Sequence, residues 1–408
     1  MVRRSILALI LSAAAFGAVG SSASAETIPV PAPAPLAIKP AIPNVVNPVP
    51  LGDVRLTGGP LKAAQDADQK TLLGLEPDRM LFFLRQRAGL QPKAARGYDG
   101  WDGAGRNLTG HIAGHYLSAI SYMFASTGDK QYKDRVDYMV HELKEIQDAQ
   151  KDGYIGGLMG NAPPAPATAP ASTTAAATGA GRRGGARGAQ LPPVDGKILF
   201  EEIAAGQIRS GGFDLNGMWS PWYVEHKLFA GLRDAYRLTG NKEALQVETR
   251  FAAWVDSIMG KLTQEQLQGY TPEGGRRIAG VLDTEFGGIN ETLADLYADT
   301  GDRHWYDLSS KFEHLRVITP LANKQDILGG LHGNTTIPKL YGELKRYIYT
   351  GDERDGNAAR FFWDATVFHH TFATGGHGYD ESFGPADKLS QQVDGTGQRS
   401  QDLRTCES

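Results

Sequence analysis

The sequence predicts an all-α fold, a toroid of helical hairpins of the (α/α)-barrel type with few strands. Three observations lead there. A Thr-Gly-Asp turn, or its close relative Thr-Gly-Asn, occurs four times, at Thr127, Thr239, Thr300 and Thr350. Each follows an apolar helical run that carries a tyrosine, such as "LSAISYMFASTGDKQY" or "ETLADLYADTGDRHWY", and each precedes a second helical pattern, such as "RVDYMVHELKEIQ". Gly suits the left-handed residue that closes a helix, and Asp or Asn caps the next one. The unit is therefore helix, tight turn, helix, recurring at about 50–60 residues once an insertion is discounted. The third observation chooses a closed ring over an open solenoid. The connections between hairpins are long, uneven and rich in Gly, Trp and His, as expected where loops line a pocket.

The remaining segments follow in chain order. Residues 1–25 have a basic start (Arg3, Arg4), an apolar run and a small-residue Ala23-Ser24-Ala25 site. They read as a secretory leader, with a weak hint of a twin-arginine route, so the mature protein is expected to be exported, periplasmic or extracellular. Residues 26–50 hold eight prolines and predict an extended tether outside the core. Residues 51–395 form the expected barrel domain. Within it, residues 161–193 contain no aromatic residue and almost nothing large and apolar, which predicts a flexible insertion. Residues 396–408 make an atypical polar tail that carries the single cysteine, Cys406.

Composition narrows the function. The chain has 408 residues, 41% of them hydrophobic and 22% charged, and a formal net charge of −4. That balance gives no case for a nucleic-acid or anionic-membrane partner. No segment after the leader is long and apolar enough to span a bilayer. One cysteine cannot make a disulfide within the chain, so an exported lone thiol needs a metal, a catalytic role or an accident to explain it.

Polar residues of chemical interest recur at one place in the repeat, where the first helix of each hairpin begins. "GHIAGHYLSA" brings His111 and His115, and "WSPWYVEHKLFAGL" brings Trp222, Tyr223 and His226. "EFGGINETLADLY" brings Glu285, Asn290 and Glu291, and "GLHGNTTIPKLYG" brings His332 and Asn334. "FHHTFATGGHGYDESF" adds His370, Tyr379 and Glu381. In a ring, these clusters meet at one mouth. Aromatic faces with amides, imidazoles and carboxylates suit a sugar, whose C–H face stacks and whose hydroxyls are hydrogen-bonded. The bland alternative is that several of these residues only cap or pack. His111 and His115 lie four apart, but no Glu follows His111, so the zincin pattern is absent. Gly110, Ala113 and Gly114 point to close helix packing, with His115 facing the pocket and His111 structural.

Together "LEPDRMLFFLRQRAGL", "GHYLSA", "PWYVEHKLFAGL", "EFGGINETLADLY", "LHGNTTIPK" and "ATGGHGYDESF" resemble glycoside hydrolase family 127, the β-L-arabinofuranosidase group, from about residue 51 to residue 395. The resemblance implies an (α/α)6 barrel followed by β-sandwich domains. It also implies an exo-acting, retaining enzyme that releases L-arabinofuranose from plant-type glycans. The general acid/base falls on Glu381, and the nucleophile would be a cysteine thiolate held on zinc. His226 and His332 match sugar-contacting positions. Phe286 stands where some members have His. Trp222, Glu285, Asn290, His370, Tyr379 and His115 complete the expected substrate surface. The chemistry is coherent: retention needs a nucleophile and a proton donor on opposite faces of the anomeric carbon, and zinc lowers a thiol pKa.

The resemblance breaks near the end. The family pattern leads to Arg-Thr-Ala-Glu-Thr-Cys-Asn and a helix starting Tyr-Asn-Met-Leu, where this sequence has "TGQRSQDLRTCES". Arg404 takes the place of a Glu zinc ligand. Cys406 is then either the displaced first zinc cysteine or the accidental product of a shifted reading frame. On both readings the nucleophile, the full metal shell, the last barrel helices and the β-sandwich domains are expected to be missing, and the chain impaired. Two other readings compete. One is a different (α/α)-barrel carbohydrate enzyme, an unsaturated glucuronyl hydrolase or a lyase. The other is a non-catalytic sugar-binding protein.

Overall fold

The computed structural model describes residues 26–163, 192–270, 276–378 and 381–390. The proposed leader, most of the insertion, Tyr379, Cys406 and the tail lie outside the described residues. Three helices come first: the long α1 (Gly59–Gly74) and the short α2 (Pro77–Met80) and α3 (Phe82–Arg87). The repeat then begins with α4 (His111–Thr127) and α5 (Lys130–Gln150). Strands β1 (Met159–Asn161) and β2 (Pro193–Asp195) pair antiparallel, so the insertion leaves and re-enters through a two-stranded ribbon. Helix α6 (Gly196–Ala204) leads to a small antiparallel sheet of β3 (Ser210–Gly211), β4 (Asp214–Leu215) and β5 (Met218–Trp219).

The second hairpin is α7 (Pro221–Thr239) with α8 (Lys242–Met259), followed by the short α9 (Gln264–Gln268). The third is α10 (Ile289–Thr300) with α11 (Arg303–Ser309), followed by α12 (Leu315–Ala322). The fourth is α13 (Gly333–Thr350) with α14 (Glu353–His369). Helices α4, α7, α10 and α13 pack side by side as an inner layer, and each carries its partner on the outside. This is the all-α toroid arrangement that the repeat predicts.

The Thr-Gly turns work as their residue types dictate. Gly128, Gly240, Gly301 and Gly351 close the inner helices with φ between 71° and 78°. Asp129, Asn241, Asp302 and Asp352 then accept a backbone N–H two or three residues ahead and start the outer helices. Each threonine hydroxyl donates to the carbonyl four residues back, at 2.6–2.8 Å. Four inner helices therefore end at one level and point the same way, which places their N-termini together.

Close approach of α4 and α7 depends on glycine. A Cβ on Gly114 would lie 2.1 Å from the Lys227 carbonyl oxygen and 2.7 Å from the Leu228 nitrogen. Both are backbone atoms and cannot turn aside. Gly114→Ala should therefore cost about 1–3 kcal/mol or more, read as a lower urea midpoint. An unchanged midpoint would mean the helices part without cost.

The proline-rich segment differs from expectation. It is extended, but it is docked rather than free. The Ile28 N–H donates to Gly128 O (2.8 Å), Ala37 N–H to Ala298 O (2.8 Å) and Ile42 N–H to Ile348 O (3.0 Å), while Glu26 O accepts from Lys130 N–H. Pro31 lies against Gly240, Ala37 against Gly301 and Ala41 against Gly351. The segment thus runs as a strap across all four turns, at the end of the ring opposite the helix N-termini. Proline suits this course because a strap with few ladder bonds loses little by lacking N–H donors. Leu36 and Ile38 pack on Ala294, Ala298 and Tyr349, whereas Val45, Val46 and Val49 are exposed. Among the described residues no helix is long and apolar enough to cross a membrane.

Candidate active site

The N-terminal ends of the inner helices and the loops before them form a polar mouth. His332 caps α13, and its Nδ1 accepts from the Thr335 N–H (3.2 Å) and lies 2.8 Å from the Thr335 hydroxyl. An acceptor at Nδ1 leaves the proton on Nε2, which donates to Glu381 Oε2 at 3.3 Å. The capping bond therefore fixes the tautomer that faces the carboxylate.

Glu381 is held by its backbone. Its φ is 64°, in the left-handed region. The Gly333 N–H donates to Glu381 O (2.8 Å), Phe383 N–H to Leu331 O (2.9 Å) and Gly330 N–H to Phe383 O (2.7 Å). A non-glycine residue there costs on the order of 1–3 kcal/mol, and the surrounding ladder must hold it. Ser220, the residue before α7, is also left-handed (φ 41°). Its N–H donates to Phe213 O, and its hydroxyl reaches Glu285 Oε2 at 3.4 Å. Burial raises the pKa of Glu285 against the pull of His332, Lys227 and Lys339. His115 is open to solvent but set low in the concavity. Surrounding protein, together with Lys227 and His111, pushes its imidazole down to about 4. It is neutral at pH 7 and can both donate and accept. His111 is held by Leu108 O (2.7 Å) and Asp102 (3.3 Å), a structural arrangement.

Several expected contact residues sit in the wall instead of on the surface of the mouth. Trp222 is fully buried among Phe200, Trp254 and Phe312. Asn290 is fully buried, filling the gap at Gly342 and donating to Lys339 O and Glu343. His370 is buried and bonded to Gly384 O (2.8 Å) and Asp326 (2.9 Å), which anchors the loop that carries Glu381. His226 is 7% exposed beneath the Gly287-Gly288 turn, and burial holds it neutral. Phe286 is fully buried on Phe312, with the Lys339 ammonium 4.5 Å from its ring centroid.

The more accessible positions on α7 are their neighbours Tyr223 and Lys227, one residue further along. Tyr223 is among the candidates that the sequence marks, whereas Lys227 and Phe213 are mouth residues that it does not. The signal for Lys227 was present: it lies four residues after Tyr223 on the same helix face and within the same motif.

The zinc implied by the resemblance does not fit the described residues. Three donors lie close enough together to hold a cation, the buried Glu313, Glu343 and Asp355. All are carboxylates, with no sulfur or imidazole. They already hold two guanidinium groups. Arg346 reaches Glu313 (2.5 Å) and Asp355 (3.1 Å), and Arg354 reaches Glu313 and Asp355. The cluster is an ion-pair network, and the residues to which the resemblance assigns zinc, around Cys406, lie outside the described residues.

Comparison with known proteins agrees with this picture. The family model described as "Beta-L-arabinofuranosidase, GH127 catalytic domain" matches residues 53–406. The fold resembles a solved GH127 β-arabinofuranosidase, BT3674, at TM-score 0.50 and 16% identity, covering 83% of this chain and 47% of that one. A GH127 β-L-arabinofuranosidase from Geobacillus stearothermophilus T6 matches at TM-score 0.48 and 17% identity, over 82% of this chain and 48% of that one. The chain thus spans about half the length of either solved structure. No curated protein matches. With a family match across most of its length and an all-α toroid, the chain belongs to the GH127 family of glycoside hydrolases, matching the family's catalytic domain.

Proposed function

We propose that the protein hydrolyses terminal β-linked L-arabinofuranosyl residues of plant-type glycans with retention, Glu381 acting as the proton donor. The observation that carries this reading is the placement of Glu381, a solvent-facing carboxylate on a left-handed residue, pinned by its backbone and facing the Nε2–H of His332. Glu381 protonates the departing glycosidic oxygen and later takes a proton from the incoming water. His332 orients it. His115, Tyr223 and Glu285 face the sugar, and a neutral imidazole and a raised carboxyl suit hydroxyl recognition. Retention also needs a nucleophile on the opposite face, which bonds to the anomeric carbon as the glycosidic oxygen leaves and is itself displaced by water in the second step. The resemblance places it on a cysteine, and Cys406 lies outside the described residues. The leader-like residues 1–25 support an exported protein that meets glycans in the periplasm or outside the cell.

The test is to incubate the protein with a β-L-arabinofuranosyl disaccharide and its α-linked and pyranosyl counterparts, following products by proton NMR. L-Arabinose should come from the β-furanoside alone, first as the β anomer. Equal release from the α-linked or pyranosyl sugar, or an α anomer first, would overturn the reading.

A further inference from the structure

We propose that Phe213 forms the leaving-group subsite, a stacking platform for the second sugar of a neutral oligosaccharide. The inference rests on the arabinofuranosidase reading and deepens it. Phe213 lies in the turn between β3 and β4, and 42% of it is exposed. Its ring packs edge to face on His332, with centroids 5.2 Å apart and planes at 72°. His332 is the same side chain whose Nε2 meets Glu381. A general acid must lie against the glycosidic oxygen, so the departing sugar lies on the acid's side of the scissile bond. His332 touches both groups, which puts the exposed part of Phe213 beside that space.

The sheet is short but firmly tied. Arg106 donates to Asp214 (3.2 and 2.7 Å) and to Gly217 O (2.9 Å). Buried Asn216 bonds Arg209 N–H, Gln207 O and Glu202. Trp101, 63% exposed, packs edge to face on Trp219 of the same sheet at 5.9 Å. A fixed aromatic face suits the C–H face of a sugar and asks for no charge on it.

The experiment uses Glu381→Gln as parent, so that bound sugar is not cleaved. L-Arabinose and a β-L-arabinofuranosyl disaccharide are titrated by calorimetry into the parent and into versions also carrying Phe213→Ala or Phe213→Tyr. The disaccharide should bind the parent about tenfold tighter than the monosaccharide, the order of one aromatic contact. Phe213→Ala should remove that advantage and leave monosaccharide affinity unchanged, and Phe213→Tyr should restore it. If Phe213→Ala leaves the advantage intact, or weakens both sugars equally, the subsite is wrong and the reading of the mouth stands. If the parent binds neither sugar, that reading fails and the subsite falls with it.

Discussion

Replacing Glu381 by glutamine should lower turnover of a β-L-arabinofuranoside by about 10²–10⁴-fold, the usual contribution of a general acid/base, with sugar affinity nearly unchanged. Glutamine keeps the shape of the side chain and can still meet His332, but it has no proton of the right acidity to give. The loop should survive the change because its anchors are main-chain bonds from residues 330–333, together with His370 on Gly384 O and Asp326. Binding and turnover must be measured on the same preparation. A large loss of affinity would make Glu381 a binding group, and unchanged turnover would return the field to another kind of (α/α)-barrel enzyme.

The largest loss of stability should come from Arg346→Ala. This guanidinium is 3% exposed and donates to Glu313, Asp355, Ser309 and the Tyr306 hydroxyl. Removing it leaves three buried carboxylates facing one another, with only the half-exposed Arg354 beside them. Breaking a buried ion pair by deleting one partner typically costs about 3–5 kcal/mol. The urea midpoint should fall accordingly with the slope unchanged. Arg360→Ala serves as the control. Its pair with Glu353 is half exposed on both sides and should be worth about 0.2–1 kcal/mol. Equal losses in the two variants would mean that the buried cluster carries no special weight.

These two sites differ in how far the sequence announces them. The Thr-Gly-Asp turns are legible because each bond that shapes them joins residues within four positions. The level at which polar residues gather is legible too, because it is the start of each inner helix. The direction of an individual side chain is not. Trp222 and His226 share one face of α7 and point into packing, while Tyr223 and Lys227, a hundred degrees around, are the more accessible. Asn290 and Glu291 repeat the same ambiguity on α10. Arg346 carries no motif at all. Its partners come from α11, the turn after it and α14, elements that meet only once the hairpins have stacked. Phe213 sits in a loop whose importance comes from α13, more than a hundred residues later.

The strap was equally hidden, since a proline-rich stretch has no period and its partners lie far along the chain. Its course bears on biosynthesis. It is made first, and its four docking points are made one after another, in the order in which it passes them. Each finished turn can be threaded as it arrives. The loop closed at Ile348 is roughly three times as long as that closed at Gly128, yet on a logarithmic scale it costs only about 1 kcal/mol more. The last eyelet is thus nearly as easy to thread as the first. In a sequence with a single cysteine, this lacing joins distant parts of the chain as covalent cross-links do elsewhere. A proteolytic cut just after residue 42 would sever all four docking points from the chain at once.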